Sequence, residues 1–202
     1  KIMSDHYYSK EPTSKSEPKL IEIEVLGQVY RLYSDRGVFS KSSLDKGSKL
    51  LIETMPIRPT DRILDWGTGY GIIGLVAANL AKQGQVEMID INERAVNLAL
   101  QNINLNGINN AFAYSSECFN AVKGSFDLIV SNPPFRAGKA IVHELVDKAP
   151  NYLVEGGGLC LVVQKKQGAE SLTKKMAEVF NNVDILARSG GYRVLFSKKG
   201  TF

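Results

Sequence analysis

Apolar and polar residues follow two different rhythms along the chain, one before residue 61 and one after it. In the first, apolar positions alternate with Glu22 and Glu24 over residues 20–26, a period of two that predicts a half-buried strand. The glycine of Gly27-Gln28 predicts a tight hairpin turn into a second strand over residues 29–33. A short helix should follow, with apolar residues at helical spacing and prolines at its end: Leu44, Leu51, Met55, Pro56 and Pro59.

From residue 61 onward, short apolar runs alternate with helical patterns. Strands are predicted at residues 62–64, 86–89, 111–113, 126–130, 159–163, 183–187 and 192–196. Helices are predicted at residues 72–80, between an Asn92 cap and a closing Gly107, and at residues 141–153 and 172–180. The helix after Asn92 should bury one face: Val96, Ala99, Leu100 and Ile103. Residues 156–158, three glycines, should form a turn. This alternation predicts an α/β fold with a mainly parallel sheet.

The predicted domain organisation has three parts. Residues 1–18 contain several Ser, Lys and Pro residues without periodicity, which predicts a polar arm. Residues 19–60 should form a hairpin and helix appended to the core. Residues 61–202 should form the core itself.

The composition describes an ordinary soluble protein of 202 residues, with 44% hydrophobic and 23% charged residues. It excludes a disordered chain and a fibrous repeat. No apolar run approaches the ~18 residues of a membrane span, and the first twenty residues lack the apolar segment of a secretory signal. We therefore expect a cytoplasmic protein without a membrane partner. Cys118 and Cys160 belong to no CxxC or Cys/His cluster, so neither a disulfide nor a metal site is expected.

The formal net charge of +4 is unevenly distributed. Residues 1–60 carry 10 Lys/Arg and 8 Asp/Glu, residues 61–130 carry 4 and 7, and residues 131–202 carry 11 and 6. An acidic middle beside a basic final third indicates that a polyanion can approach one side of the molecule.

A glycine-rich loop follows the first core strand and opens a helix. Its sequence is Asp65-Trp66-Gly67-Thr68-Gly69-Tyr70-Gly71, and Asp90 ends the next strand. Such glycines let the backbone approach a ligand closely. A carboxylate at the end of the next strand can accept both ribose hydroxyls. The pattern GxGxxG keeps a dinucleotide such as NAD open. The extra acidic residue Asp65 favours S-adenosylmethionine (SAM), because it would repel a pyrophosphate and attract an ammonium group.

The segment Asn132-Pro133-Pro134-Phe135 follows another buried strand. Tandem prolines should fix an extended backbone, so that the Asn132 side chain and the Pro133 carbonyl together accept the two protons of an exocyclic amine. Phe135 would stack on the ring that carries the amine. Catalysis would then consist mostly of positioning. A rigid turn without chemistry is the simpler interpretation, but the preceding glycine loop favours the chemical one.

Together these residues resemble the class I SAM-dependent methyltransferases, and among them the RsmC-like ribosomal RNA guanine-N2 methyltransferases, in particular small single-domain members. The resemblance covers roughly residues 20–200. It rests on the glycine loop, Asp90 and the Asn132–Phe135 segment. It also rests on an upstream signature, Gly37-Val38-Phe39-Ser40 with Asp45-Lys46-Gly47-Ser48.

The resemblance implies a Rossmann-like fold, with a seven-stranded, mostly parallel sheet whose last strand is antiparallel. The cofactor SAM would be held by the glycine loop, by the end of the next strand, by the segment after the third strand and by the catalytic asparagine: Asp65, Gly67, Thr68, Gly69, Gly71, Asp90, Ile91, Ser116, Glu117 and Asn132. Asn132, Pro133 and Phe135 would be catalytic. Pro134, Arg136 and Lys139 would contact the substrate, the last two through a phosphate.

The implied reaction is methyl transfer to guanine N2 of ribosomal RNA, with S-adenosylhomocysteine as product. Adenine-N6 methylation and glutamine methylation share the NPPF motif, although the upstream signature disfavours both. An NAD-dependent oxidoreductase and a non-catalytic RNA-binding module are further alternatives. Larger family members carry an additional N-terminal RNA-handling domain, whereas about sixty residues precede the glycine loop here. A homodimer would be one way to compensate.

Overall fold

The computed structural model describes residues 16–35 and 43–200. Its strands are β1 (Lys19–Val25), β2 (Gln28–Ser34), β3 (Arg62–Trp66), β4 (Gln85–Asp90), β5 (Ala111–Ser115), β6 (Phe126–Ser131), β7 (Leu153–Gln164), β8 (Asp184–Ser189) and β9 (Tyr192–Lys198). Its helices are α1 (Lys46–Thr54), α2 (Ile72–Leu80), α3 (Glu93–Leu105), α4 (Lys139–Lys148) and α5 (Ala169–Phe180). Short 3₁₀ turns lie at Phe135–Ala137, Ala149–Tyr152 and Lys165–Gln167.

Within the described residues, seven strands form one sheet in the order β5-β4-β3-β6-β7-β9-β8. The strands β3 to β7 are all parallel to one another. The strand β9 is antiparallel to both β7 and β8. This confirms the predicted α/β fold with an antiparallel last strand. The chain order reverses between β3 and β6, and ligands of such sheets bind where the carboxyl ends of the strands meet this reversal.

Two apolar cores cover the two faces of the sheet. One core joins the sheet to α1, α2, α3 and the β1–β2 hairpin, through residues such as Leu32, Leu51 and Leu75. The other joins it to α4 and α5, through residues such as Leu145 and Met176. The hairpin and α1, predicted as an appendage, therefore share a core with the sheet.

The β1–β2 hairpin is attached to α3 by two asparagines one helical turn apart. Asn102 accepts the N–H of Tyr33 at 2.7 Å and donates to the Tyr33 carbonyl at 2.9 Å. Asn106 pairs with Arg31 in the same way, at 3.1 and 2.7 Å. The two side-chain amides thus satisfy the free edge of β2 as a neighbouring strand would.

Several local predictions are wrong in detail. The hairpin turn is Leu26-Gly27, both at positive φ, and not Gly27-Gln28, because Val25 pairs with Gln28. The face of α3 buries Val96, Ala99 and Ile103, but Leu100 is 38% exposed.

The region 141–164 differs most from its prediction. The helix predicted over residues 141–153 ends at Lys148, and a 3₁₀ turn containing Pro150 follows. The three glycines at 156–158 are not a turn before a strand but part of β7, which begins at Leu153. They allow close contact, since a Cβ on Gly158 would lie 2.3 Å from the Phe196 ring.

The signature Gly37-Val38-Phe39-Ser40 and most of the predicted polar arm lie outside the described residues. In the part of the chain that the structure describes, no helix combines the length and apolar character needed to cross a membrane.

Candidate functional site

A cavity of about 450 Å³ opens at the carboxyl edge of the large sheet, at the reversal between β3 and β6. This size suits a small-molecule ligand, for which cavities of roughly 300–1,000 Å³ are usual. Most of the predicted site residues line it: Gly67, Thr68, Gly69, Asp90, Ile91, Ser116, Asn132, Pro133, Pro134, Phe135 and Arg136. The structure therefore brings the glycine loop and the NPPF segment to one cavity.

The glycine loop turns sharply between β3 and α2. Gly67, Gly69 and Gly71 have φ angles of 71°, 58° and 99°, which residues with a side chain rarely adopt. The Gly71 N–H donates to the Thr68 carbonyl at 3.0 Å, and α2 starts directly after it. The turn itself therefore requires these glycines. Gly71 precedes α2 and does not line the cavity.

The N–H groups of this loop are occupied by partners inside the protein. Those of Gly67 and Thr68 donate to the Ile89 carbonyl at 2.8 and 2.9 Å. That of Gly69 donates to Asp90 Oδ2 at 2.9 Å. A pyrophosphate binds where several such groups point outward, so the loop is poorly arranged for a dinucleotide.

Asp65 lies behind the loop and does not line the cavity. Its Oδ2 accepts from the Thr68 hydroxyl at 2.6 Å and from the Gly74 N–H at 2.9 Å. Its Oδ1 is buried without a hydrogen-bond partner among the described residues. Burial, aided by the nearby charge of Asp90, raises the pKa of Asp65 to about 7, although the hydrogen bonds from Thr68 and Gly74 lower it. Asp65 therefore holds the loop onto α2, and its attraction for a ligand ammonium stays a prediction.

Asp90 reaches the cavity from the end of β4. Its carboxylate accepts the N–H groups of Gly69 and Asn92, each at 2.9 Å. Burial raises the pKa of Asp90 to about 6, although these N–H groups lower it. Asp90 is thus held in a fixed orientation, and Ile91 lines the cavity beside it.

The NPPF segment leaves β6 in a tight turn. The Ser131 hydroxyl donates to the Trp66 carbonyl at 2.6 Å, which joins the ends of β6 and β3. Pro134 has φ −77° and ψ 77°, and the Phe135 N–H donates to the Pro133 carbonyl at 2.9 Å. This geometry is an inverse γ-turn. The predicted extended backbone is therefore wrong at Pro134, and the Pro133 carbonyl keeps one lone pair for another donor.

The side chain of Asn132 is oriented by the start of α1. Its Nδ2 donates to Ser48 Oγ at 3.0 Å and lies 3.4 Å from Asp45 Oδ1. A carboxylate can only accept, so the nitrogen of the amide must face Asp45 and the oxygen must face away. The same Asp45 oxygen caps α1 by accepting the Ser48 N–H at 2.9 Å.

The start of α1 is in turn packed against Tyr192, the first residue of β9. A Cβ on Gly47 would lie 2.9 Å from Tyr192 Cε1, so glycine is needed for this approach. Asp45, Ser48 and Tyr192 all line the cavity. None of the three is among the sequence-predicted site residues, although Asp45 and Ser48 belong to the upstream signature.

Four further polar residues line the cavity that were not predicted as site residues from the sequence: Tyr70, Asn92, Gln164 and Gln167. Burial and the nearby Asp45 charge raise the pKa of Tyr70, so its hydroxyl is neutral. Gln164 ends β7, and its place at a strand end was the available signal. Two predicted residues, Glu117 and Lys139, are exposed and lie outside the lining. Among residues 16–35 and 43–200 there is no group of three or more potential metal ligands.

Comparisons with known proteins agree with this arrangement. An uncharacterised Bacillus subtilis protein, YbxB, is 42% identical over 98% of this chain and 100% of its own length. The ribosomal RNA small subunit methyltransferase C of Haemophilus influenzae is 34% identical over 81% of this chain, which covers 49% of that relative. The solved 16S rRNA N2 methyltransferase RsmC of T. thermophilus, in complex with AdoMet and guanosine, has 28% identity and a TM-score of 0.81.

The match to that structure covers 92% of this chain and 51% of the solved chain. This chain therefore spans about half the length of its RsmC relatives. The family model of the methyltransferase small domain matches residues 29–196, which include the glycine loop, Asp90 and the NPPF segment. The chain therefore belongs to the methyltransferase small domain family.

Proposed function

We propose that this chain transfers the methyl group of SAM to an exocyclic amine, guanine N2 of ribosomal RNA. The observation that carries the proposal is the oriented amide of Asn132, which lines the same cavity as the glycine loop and Asp90. The named activity of the RsmC relatives, and the guanosine and AdoMet bound to the T. thermophilus enzyme, support it.

The residues of the site fit SAM better than a dinucleotide. Asp90 presents a carboxylate for ribose hydroxyls, with Ile91 and Ser116 beside it. The loop N–H groups are already bonded, which disfavours a pyrophosphate. The carboxylate of Asp90, which lines the cavity, suits a cationic ligand. When bound, SAM supplies a methyl group on an electrophilic sulfonium, so no metal or strong base is required.

Asn132 and Pro133 would hold the acceptor amine. The Asn132 oxygen faces away from Asp45, and the Pro133 carbonyl has a free lone pair. Each accepts one N–H of the amine, which aims the nitrogen lone pair at the methyl group. Phe135 and Pro134 line the cavity where they can contact the base. Guanine N2 is engaged in a duplex, so the base must be unpaired or flipped out.

Arg136 lines the cavity and Lys139 starts the following helix, so both can contact a phosphate of the substrate. We propose that Asp65, Gly71 and Glu117 serve the cofactor. Asp65 and Gly71 hold the glycine loop in place, and Glu117 borders the adenine end, since its chain neighbours Ser116 and Cys118 line the cavity. The acceptor is RNA and the location cytoplasmic. A homodimer would supply the surface that the second half of the longer relatives occupies.

Two measurements test the function. SAM and S-adenosylhomocysteine should raise the melting temperature and NAD should not, because a ligand at ~100 times its Kd stabilises the fold by about 2.7 kcal/mol. Asn132→Ala should keep this shift and lose labelled-methyl transfer into fractionated ribosomal RNA by at least about 100-fold, since positioning is lost. Asp90→Ala should instead weaken the shift. Transfer at the wild-type rate by the Asn132 variant would contradict the role assigned to Asn132.

A further inference from the structure

Four cationic side chains gather at one corner of the large sheet, which we call the basic corner: Lys165, Lys166, Arg188 and Arg193. Lys165 and Lys166 form the 3₁₀ turn after β7. Arg193, near the start of β9, pairs with Val163 and, on its other side, with Arg188 near the end of β8. The Lys165 N–H donates to the Gly191 carbonyl at 2.8 Å, which joins the 3₁₀ turn to the β8–β9 hairpin.

The two arginines of the basic corner oppose each other directly. Arg188 and Arg193 are register partners of an antiparallel pair, so their side chains lie on the same face. Like charges in this arrangement destabilise a sheet. None of the four cations forms an ion pair with a carboxylate of the described residues. Four other cations of the last third of the sequence do: Lys148, Lys174, Lys175 and Lys199. The repulsion in the basic corner is therefore uncompensated within the described protein.

The basic corner adjoins the cavity. Gln164 and Gln167 flank Lys165 and Lys166 in the chain, and both line the cavity wall together with Tyr192. Tyr192 and Gln164 are register partners on one face of the sheet, so Arg193 and Arg188 reach this edge from the other face. Arg136 and Lys139 follow β6, the neighbouring strand of β7. Cations thus follow β6 and β7 along this edge and lie on both strands of the β8–β9 hairpin, near its turn. Three strand spacings of ~4.8 Å make this surface roughly 14 Å wide, enough for several phosphates of one chain.

We propose that the basic corner binds backbone phosphates of single-stranded RNA next to the base held in the cavity. This inference rests on the proposed function, because it places the polyanion beside the site of methyl transfer. Phosphates between Arg188 and Arg193 replace their mutual repulsion with attraction, and guanidinium groups bind phosphate oxygens in a bidentate manner. Lys165 and Lys166 add two point charges on the adjoining turn.

The test measures the salt dependence of RNA binding in matched double variants. Lys165→Gln/Lys166→Gln and Arg188→Gln/Arg193→Gln each remove two phosphate contacts. Lys82→Gln/Lys123→Gln is the control, because both lysines are exposed at the opposite edge of the sheet. Binding of a fluorescein-labelled single-stranded oligoribonucleotide is followed by anisotropy over a range of salt concentrations. Each contact contributes about 0.7 to the slope of log K against log salt, so each corner variant should lose about 1.4.

The control should keep the wild-type slope, and all variants should keep the SAM-induced thermal shift, which shows that they are folded. Arg188→Gln alone should also raise the melting temperature of the RNA-free protein at low salt, because it removes the repulsion. Wild-type slopes in both corner variants, or an equal loss in the control, would overturn the inference. So would a wild-type protein that binds no RNA.

Failure of the proposed function is a separate result. It would appear as wild-type protein that binds the oligoribonucleotide with the expected slope but transfers no methyl group to any ribosomal RNA fraction. Failure of the inference alone would appear as a methylating enzyme whose corner variants bind RNA as the wild type does. In that second case the phosphate contacts lie elsewhere on the molecule.

Discussion

At the scale of single residues, the orientation of Asn132 depends on side chains far away in the sequence. Its amide nitrogen faces Ser48 and Asp45, which lie 84 and 87 residues earlier. Ser48 is almost fully buried, at 5% exposure, so water does not readily replace it. If the amide rotated by half a turn, its NH₂ group would face the acceptor amine, and two donors cannot bond to each other.

Ser48→Ala should therefore lower kcat about 10- to 100-fold, because a misplaced acceptor amine loses part of its positioning advantage. The SAM-induced thermal shift and KM should change little, since Ser48 does not hold either ligand in this proposal. Steady-state methyl transfer measures both constants. The control is Thr54→Ala on the same helix, whose hydroxyl donates to the Leu50 carbonyl one turn earlier. Equal kcat values for the two variants would show that Ser48 does not position Asn132.

The residues predicted from sequence are those whose place follows from the fold alone. Asp90 and Asn132 end parallel strands, and strand ends of such a sheet converge. Ser48 and Asp45 could not be placed from local pattern, because the docking of α1 depends on its packing against Tyr192. The bonds of Asp65 to Thr68 and to Gly74 of α2 could not be foreseen either, because they depend on how the loop packs against the helix.

At the scale of elements, Asn102 links the β1–β2 hairpin to the functional site. Besides pairing with Tyr33, its amide donates to the Tyr70 carbonyl at 2.7 Å. Tyr70 belongs to the glycine loop and lines the cavity. Asn106 pairs with Arg31 of the same hairpin but has no bond to this loop. Asn102 therefore both attaches the hairpin and supports the glycine loop, whereas Asn106 only attaches the hairpin, and variants of the two can distinguish these roles.

Asn102→Ala should lower the unfolding free energy by about 2–4 kcal/mol, because it leaves buried backbone groups of Tyr33 and Tyr70 without partners. It should also raise the Kd for SAM. Asn106→Ala should cost only about 1 kcal/mol, since its partners on Arg31 are exposed to water, and should leave the SAM affinity unchanged. Denaturant unfolding and calorimetric titration check these expectations. A weaker SAM affinity in both variants would mean that the whole hairpin supports the loop.

The strands were easier to predict than the region 141–164, for a physical reason. The strand β6 and the helix α2 were recognisable as apolar runs, because nearly every residue of each is buried. The helix α4 passes into β7 through a 3₁₀ turn of only four residues, and the glycines inside β7 resemble a turn. They are needed there for close packing against Phe196, a contact between strands that local sequence does not reveal.

At the scale of the whole molecule, the carboxyl edge of the sheet is divided by charge. Acidic residues lie at or just beyond the carboxyl ends of β3, β4 and β5: Asp65, Asp90, Glu93 and Glu117. Cations follow β6 and β7 and flank the turn between β8 and β9: Arg136, Lys139 and the four residues of the basic corner. The NPPF segment lies at the boundary. A cationic cofactor and an anionic acceptor would therefore approach the same reaction centre from opposite sides.

The buried carboxyl groups of the acidic half make the unfolding free energy depend on pH. The pKa of Asp65 in the folded protein is about 7, raised by burial from its ordinary 3.8. Between these values the native state holds a proton that the unfolded chain has released. Stability from this group is therefore full below pH 3.8 and is lost as the pH rises through 7, with a slope of at most about 1.4 kcal/mol per pH unit. Asp90, with a pKa of about 6, adds a similar loss at slightly lower pH.

Asp65→Asn should remove the first of these losses. The amide oxygen can still accept from Thr68 and Gly74, while no charge is buried. The excess of the variant over the wild type in unfolding free energy should grow as the pH rises from about 4 to about 7 and stay constant above that, in urea unfolding of the ligand-free protein. Asp184→Asn, at an exposed position of β8, should keep the wild-type pH slope. If Asp65→Asn also keeps that slope, Asp65 is ionised throughout and the buried charge is stabilised by the site.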